Sequence, residues 1–340
     1  MNYINAAVGW LWRRKQFIAV AIGSALLFMI WFFPFSDLSQ FVTTTIARAT
    51  GNTVYVQFDS LNMHMLPTPS ISATGVSVET TLPAITAQWA KVTPSPFNLV
   101  RNLPSILKGE PLALSDLSFS VDAEGLLGAE IGLSLSPAAA SERGSERSRV
   151  QVMIEDLDLR ELQTWADLPL KIQGQGNFET DLLVSPEMQD QPEGDYSVRI
   201  EKFNLPAGTV MMPMNGVSMP ISLPALSLAN VLLKGRMING NLMIEEGTFG
   251  QSQDPLYGRI KGQIGLRLLP TGGGNVAPQL GSYNLTVDIS ASRAIEKELN
   301  FVFLFLEAGK TPTSQGSRYL FRAQGAMMGA SPQITRLSSF

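Results

Sequence analysis

Alternation of apolar and polar residues dominates the chain after its first fifty positions. Val54, Val56 and Phe58 fall on one parity, and Tyr55, Gln57 and Asp59 on the other. Leu61, Met63 and Met65 extend an apolar face up to Pro67 and Pro69, and Val76 and Val78 follow Gly75. The spacing recurs in Leu117/Phe119/Val121, Ile131/Leu133/Leu135, Val150/Val152/Ile154, Phe178/Thr180/Leu182/Val184 and Tyr196/Val198/Ile200. It resumes in Leu242/Ile244, Ile264/Leu266/Leu268, Tyr283/Leu285/Val287/Ile289 and Tyr319/Phe321. Successive side chains of a strand point to opposite faces, so each run predicts a strand with one apolar side. Together they predict an antiparallel sheet solvated on one face. Turn signals at Asn239-Gly240 and Gly272-Gly273-Gly274 separate the runs.

Three stretches break this rhythm. From Phe17 to Phe35 the chain is apolar and carries no charge, about the length that crosses a ~30 Å hydrocarbon core as a helix. Arg13, Arg14 and Lys15 precede it and fewer positive charges follow closely, which predicts a cytoplasmic N-terminus and an exported remainder. Trp31-Phe32-Phe33-Pro34-Phe35 offers no small-residue cleavage site, so an uncleaved anchor is favoured over a signal peptide. Next, Leu38, Phe41, Val42, Ile46 and Ala49 recur at helical spacing between Ser36 and Gly51, predicting a short amphipathic helix. Near the C-terminus, Ile295, Leu299, Val302, Phe303 and Leu306 predict a second helix, capped by Ser292 and ended by Gly309 and Pro312, which is favoured over a buried strand from Phe301 to Leu306.

One segment has low complexity. Ala138 to Arg149 (AAASERGSERSR) holds no apolar residue larger than alanine and reads as an exposed loop or linker. The chain is therefore divided into a tail and anchor (1–36), a first β part (37–137), the loop (138–149) and a second β part (150–340).

Composition narrows the function. Charged residues make up only 16% of 340 residues, and the net charge is −4. That balance excludes nucleic acid as the expected partner, because phosphate binding needs a basic face. With no cysteine, disulfides, thiolate metal sites and cysteine nucleophiles are ruled out. Glycine (29) and proline (21) are spread along the chain, as suits many strands and turns.

Candidate chemistry is sparse. Met63-His64-Met65 invites a metal reading, but strand neighbours point to opposite faces, so the methionines are expected in the core and His64 on the polar side. His64 is the only histidine, and no Gly-x-Ser-x-Gly elbow accompanies it, so no hydrolytic triad is expected. Gly309-Lys310-Thr311 lacks the first glycine of a phosphate loop, position 304 being Leu304. Gly174-x-Gly176 lacks its third glycine, position 179 being Glu179, and both read as turn glycines. Glu155, Asp156 and Asp158 read as a solvated strand edge rather than an acid/base pair. No catalytic, cofactor-binding or metal-ligating residue is assigned, and no enzymatic activity is expected.

Both ends of the exported region carry a family resemblance. Ala49-Thr50-Gly51-Asn52-Thr53-Val54-Tyr55-Val56, then Leu61 to Leu66, Pro67-Thr68-Pro69 and Thr74-Gly75-Val76-Ser77-Val78, resemble the start of AsmA-like proteins and the related GspN-like proteins of type II secretion systems. Leu99 to Leu117, with Lys108-Gly109 before Leu112, is similar to the first repeat of that family. Gly240-Asn241-Leu242 to Gly247, and Tyr257-Gly258-Arg259-Ile260-Lys261-Gly262-Gln263-Ile264, resemble central strands of the GspN-like group. Arg318-Tyr319-Leu320-Phe321-Arg322-Ala323-Gln324-Gly325 with Ser331-Pro332 resembles its close. Asn52 stands where AsmA-like proteins often have arginine, which with the chain length favours the GspN-like branch.

The resemblance implies a non-enzymatic role and a long curved sheet with an apolar groove. The expected fold is mostly β: an N-terminal transmembrane helix, then a long curved antiparallel sheet, sandwich- or taco-like, with a short helix near each end of the exported region. The expected place is the inner membrane, crossed once, with the N-terminus cytoplasmic and the C-terminal domain periplasmic. The expected partners are the lipid bilayer through residues 17–35, other secretion-system subunits, and phospholipid in the groove. The GspN-like branch implies an accessory component of a type II secretion system; the AsmA-like branch implies lipid binding or transfer in the cell envelope.

Overall fold

A computed structural model describes Ser24, Thr43, Thr44, Ala47 and residues 54–64, 68–79, 83–95, 118–138, 147–166, 168, 170–185, 190–214, 217–272, 275–326 and 333–340. The first half of the sheet contains β1 (Tyr55–Gln57), β2 (Ser60–His64), β3 (Ser70–Glu79), β4 (Ile85–Pro94), β5 (Phe119–Leu126), β6 (Ala129–Pro137), β7 (Ser148–Asp158), β8 (Gln173–Val184) and β9 (Glu193–Leu205). A hairpin of β10 (Gly208–Met214) and β11 (Val217–Leu223) follows. Then come β12 (Leu226–Ile238), β13 (Asn241–Phe249), β14 (Leu256–Gly272), β15 (Asn275–Ser292), β16 (Lys310–Pro312), β17 (Gly316–Gly325) and β18 (Gln333–Arg336). The helices are α1 (Leu159–Trp165), α2 (Arg293–Glu298) and α3 (Asn300–Phe305).

Sixteen of these strands form one antiparallel sheet, in the order β1-β3-β4-β5-β6-β7-β8-β9-β12-β13-β14-β15-β17-β16, with β2 also on β3 and β18 also on β17. The hairpin β10–β11 stands apart as a two-stranded sheet. The strands thus make one continuous antiparallel sheet. The reason is the connectivity: nearly every strand pairs with its sequence neighbour, the arrangement that short turns favour. The sheet also runs unbroken across the low-complexity segment, since Pro137 in β6 faces Ser148 in β7.

Because neighbours are antiparallel, the connections alternate between two ends. One end, called here the helical end, carries α1, the β10–β11 hairpin, and α2 with α3. The opposite end carries tight turns such as Asn239-Gly240, where both residues have positive φ (50° and 72°) and join β12 to β13. Asn-Gly is the pair such a two-residue hairpin turn demands. The chain comes into the sheet at the helical end, where Tyr55 faces Glu79, the last residue of β3.

The C-terminal helix prediction holds, with two refinements. The segment breaks at Leu299 into α2 and α3, and the Ser292 side chain caps the first by accepting from the Ile295 amide at 3.5 Å. Ile295 and Phe303 are buried against Val287, Tyr319 and Phe321, with Leu299 and Leu306 beside them. Val302 instead points outward, 36% exposed. The segment expected as a helix over 36–51 lies mostly outside the described residues; Thr43, Thr44 and Ala47 within it are helical. Residues 17–35 also lie outside them, apart from Ser24, which is helical and exposed. Among the described residues no helix is long and apolar enough to cross a membrane.

Candidate functional site

The register lines up residues of like character across the whole sheet. One row of directly opposed residues runs Met63–Ile71–Val92–Val121–Leu133–Val152–Thr180 through β2 to β8. It continues as Tyr196–Gly235–Ile244–Gly262–Leu285–Ala323–Ile334 through β9 to β18. Beside it on the same face runs a second row, Leu61–Ala73–Ala90–Ala123–Ile131–Ile154–Phe178–Val198–Leu233–Gly247–Ile260–Val287–Phe321. Directly opposed residues share a face, so these rows make a continuous apolar surface from β2 to β17. Its two hydroxyls are both satisfied by backbone: Thr180 donates to the Asp195 carbonyl at 3.0 Å and Tyr196 to the Met243 carbonyl at 3.1 Å.

The other face is polar in the same register. Ser120, Ser134, Gln151, Asp181, Asp195 and Arg236 oppose one another in turn. Hydrogen bonds run along this line: Ser134 to Gln151 at 3.1 Å, Gln151 to Asp181 at 2.9 Å, and Arg236 to Asp195 at 2.7 Å. Further on, Gln324 donates to Asn284 at 3.2 Å. Such a face needs no protein cover, since water solvates it.

Cover on the apolar face is uneven. At the C-terminal side α2 and α3 bury it, and Tyr319, stacked on Phe303 at 4.7 Å, is 1% exposed. At the N-terminal side Met63, Ile71 and Val92 are 36%, 38% and 38% exposed, and Val121, Leu133 and Val152 are half-buried. Between these regions α1 sits at the helical end, with Leu159 against Gly176. Trp165 of α1 donates from Nε1 to the Pro83 carbonyl at 2.9 Å, tying the β7–β8 and β3–β4 connections.

Ionisable groups are structural in placement. Asp288 is 7% exposed, and burial alone would raise its carboxyl. Hydrogen bonds from Arg318 at 2.7 and 2.8 Å and from Arg259 at 2.9 Å outweigh that and hold it below the ordinary value. Glu296 follows the same logic: burial raises it, but Tyr319, Ser317 and Lys310 lower it on balance. Tyr319 donates to Glu296 and is pushed well above its ordinary value, chiefly by burial. Burial, with Glu245 nearby, also lifts Tyr196 to about 12.

The candidates from the sequence separate rather than converge. His64 is exposed on β2 with Nε2 3.2 Å from the Ser72 hydroxyl. Met63, expected in the core, is exposed because it stands on the uncovered part of the apolar face; Met65 lies outside the described residues. Among the described residues no cluster of His, Asp and Glu could hold a metal ion. Gly309 ends a 3-10 turn, while Lys310 and Thr311 pair with β17 in β16, so no phosphate loop forms. Gly174 and Gly176 are not turn glycines: both lie in β8, Gly174 at a register shift where φ is +141° and a Cβ would sit 3.0 Å from the Glu201 carbonyl. Asp156 turns back at φ +57°, its amide donating to Asn177 at 2.9 Å, and Asp158 caps α1 through the Arg160 amide.

Sequence reading missed β4, β12, β16, β18, the β10–β11 hairpin and α1. Comparison with family models, with curated proteins and with solved structures gives no match.

Proposed function

We propose that the protein is a non-enzymatic, inner-membrane-anchored accessory component of a type II secretion system, working through the apolar face of its periplasmic sheet. The observation that carries this reading is the unbroken apolar surface, uncovered from Met63 to Val92. Large exposed apolar patches mark partner or lipid sites. Strands in an open sheet twist by about 20–25° each, and sheets beyond about ten strands curl. A sixteen-stranded sheet curling toward its apolar side gives a taco-like groove. The GspN-like features at both ends of the chain support a secretion subunit as the occupant, and the run from Phe17 to Phe35 supports the anchor.

A second reading has its own support. The two rows contain Thr180 and Tyr196 as their only polar side chains, and both spend their hydroxyls on backbone. Such a surface suits an acyl chain, as the AsmA-like branch implies. One experiment separates the readings. Secreted enzyme activity is measured in a deletion strain, and phospholipid co-purifying with the full chain is measured by mass spectrometry. Reduced export with little bound lipid is expected. Unchanged export with stoichiometric phospholipid would replace the secretion reading by the lipid one.

A further inference from the structure

The helical end of the sheet collects apolar sequence that the sheet does not use. From Phe203 to Leu233 the chain carries no charged residue. In the middle of that run β10 and β11 form a hairpin separate from the large sheet, with Met214 facing Val217 at its tip. In its sequence, Gly208–Met214 (GTVMMPM) and Val217–Leu223 (VSMPISL), one parity is apolar throughout, pairing Val210 with Ile221, Met212 with Met219 and Met214 with Val217, while the other carries the hydroxyl residues Thr209, Ser218 and Ser222. No residue of the hairpin is charged, and one of its two parities is apolar from end to end. At the same end, α3 leaves Leu304 57% and Phe305 68% exposed, next to Val302 at 36%.

The chain path says what lies nearest. Thr43 donates its hydroxyl to the Val56 carbonyl of β1 at 2.8 Å, at the helical end. Only seven residues separate Phe35, the last of the apolar run, from Thr43. Even fully extended they span under about 30 Å, and Thr43 and Thr44 are helical, which shortens the reach. The helical end is therefore the end tethered close to the bilayer.

We propose that the helical end rests on the membrane holding the anchor, with the β10–β11 hairpin and the exposed flank of α3 seated among lipid headgroups and upper acyl chains. This rests on reading residues 17–35 as an anchor. The occupant is the bilayer surface because the tether delivers it to this end. The exposed Leu304 and Phe305 gain free energy by leaving water there, and the hairpin brings no charge that would oppose it. The seated end fixes the sheet upright, with the Asn239-Gly240 turn and the start of β18 pointing away from the membrane.

The absence of cysteine makes a direct test clean. Ser24→Cys, Met214→Cys, Phe305→Cys and Gln333→Cys, each in the full chain, are labelled with an environment-sensitive fluorophore. The proteins are reconstituted into phosphatidylethanolamine/phosphatidylglycerol vesicles containing a lipid nitroxide quencher. Labels at 24, 214 and 305 are expected to lose emission to the quencher, while the label at 333, at the opposite end, keeps it. Val217→Cys and Leu304→Cys serve as second labels should either hairpin or helix variant fail to fold. Quenching at 24 without quenching at the hairpin or at α3 overturns this proposal and leaves the anchor standing. No quenching at 24 overturns the anchor reading and this proposal together. Equal quenching at 333 overturns the upright placement.

Discussion

The Tyr196 hydroxyl donates to the Met243 carbonyl at 3.1 Å by passing over Gly235. Gly235 is the residue directly opposite Tyr196, and it sits at a register shift between β12 and β13. A Cβ there would lie 1.8 Å from the Met243 carbonyl and 2.8 Å from the Tyr196 hydroxyl. Gly235→Ala therefore displaces backbone as well as ring, and is expected to lower thermal stability by more than Tyr196→Phe. The phenylalanine change removes one partly buried hydrogen bond, about 1 kcal/mol. Because the folded-state value of Tyr196 is raised to about 12, its contribution is full below pH 10 and is lost as pH rises through 12. Melting curves of both variants in detergent, at neutral and alkaline pH, check the order and the pH trend.

Asp288 gives the opposite pH signature. Its folded-state value is lowered by Arg318 and Arg259 against the effect of burial. Its contribution is thus present above the ordinary carboxylate value near 4 and is lost as pH falls through the lower folded value. Asp288→Asn is expected to cost about 1–3 kcal/mol at neutral pH and to flatten the acid limb of the stability curve. Glu296, which is also lowered, supplies the part of that limb that remains. Thermal denaturation from neutral pH into the acid range measures both.

Helix α1 has seven residues, and its Asp158 cap accepts from the Arg160 amide at 2.9 Å. Asp158→Ala is expected to cost about 1 kcal/mol. The effect is local: amide hydrogen exchange should speed up over 159–166 and at the Pro83 connection bonded to Trp165, and stay unchanged in β13 to β15. Faster exchange throughout the sheet would contradict the placement of α1 as a clip on one end.

The proposed anchor has a simple topological consequence. With Arg13, Arg14 and Lys15 ahead of an uncharged run, the proposed anchor is expected to leave the N-terminus in the cytoplasm. A reporter active only in the periplasm, fused after Phe340, is expected to work, and one active only in the cytoplasm is expected to be silent. The reverse pattern would overturn the orientation.

Much of the sheet was legible because period-two alternation survives wherever a strand keeps one face apolar. β6, β17, β7 up to Ile154 and β9 up to Ile200 are such stretches. β4 was not legible because its apolar residues change parity: Ile85 and Ala87 fall on one side, Ala90 and Val92 on the other. The partner strand β3 changes with it, at Gly75, where φ is +58°. β12 fails the same way, with Leu226 and Leu228 on one parity and Val231 and Leu233 on the other. The turn-back lies opposite Lys202, a lysine at φ +52° that no sequence rule flags. In β10 and β11, Pro213 and Pro220, and a polar parity reduced to Thr209, Ser218 and Ser222, hid the pairing. The apolar surface was visible only strand by strand. Its continuity depends on register, which sequence alternation leaves open by any even number of residues.

Register also supplies the most direct test of the apolar face as the working surface. Leu133 and Ser134 are neighbours in β6, both half-buried, one on the apolar row and one on the polar ladder. Leu133→Lys and Ser134→Lys add the same charge at almost the same place but on opposite faces. Each full-length variant is returned to the deletion strain, and secreted enzyme activity in the medium is measured at matched protein abundance. Loss of export with Leu133→Lys and normal export with Ser134→Lys is the expected result. Normal export with both, or equal loss with both, would contradict the assignment of function to the apolar face.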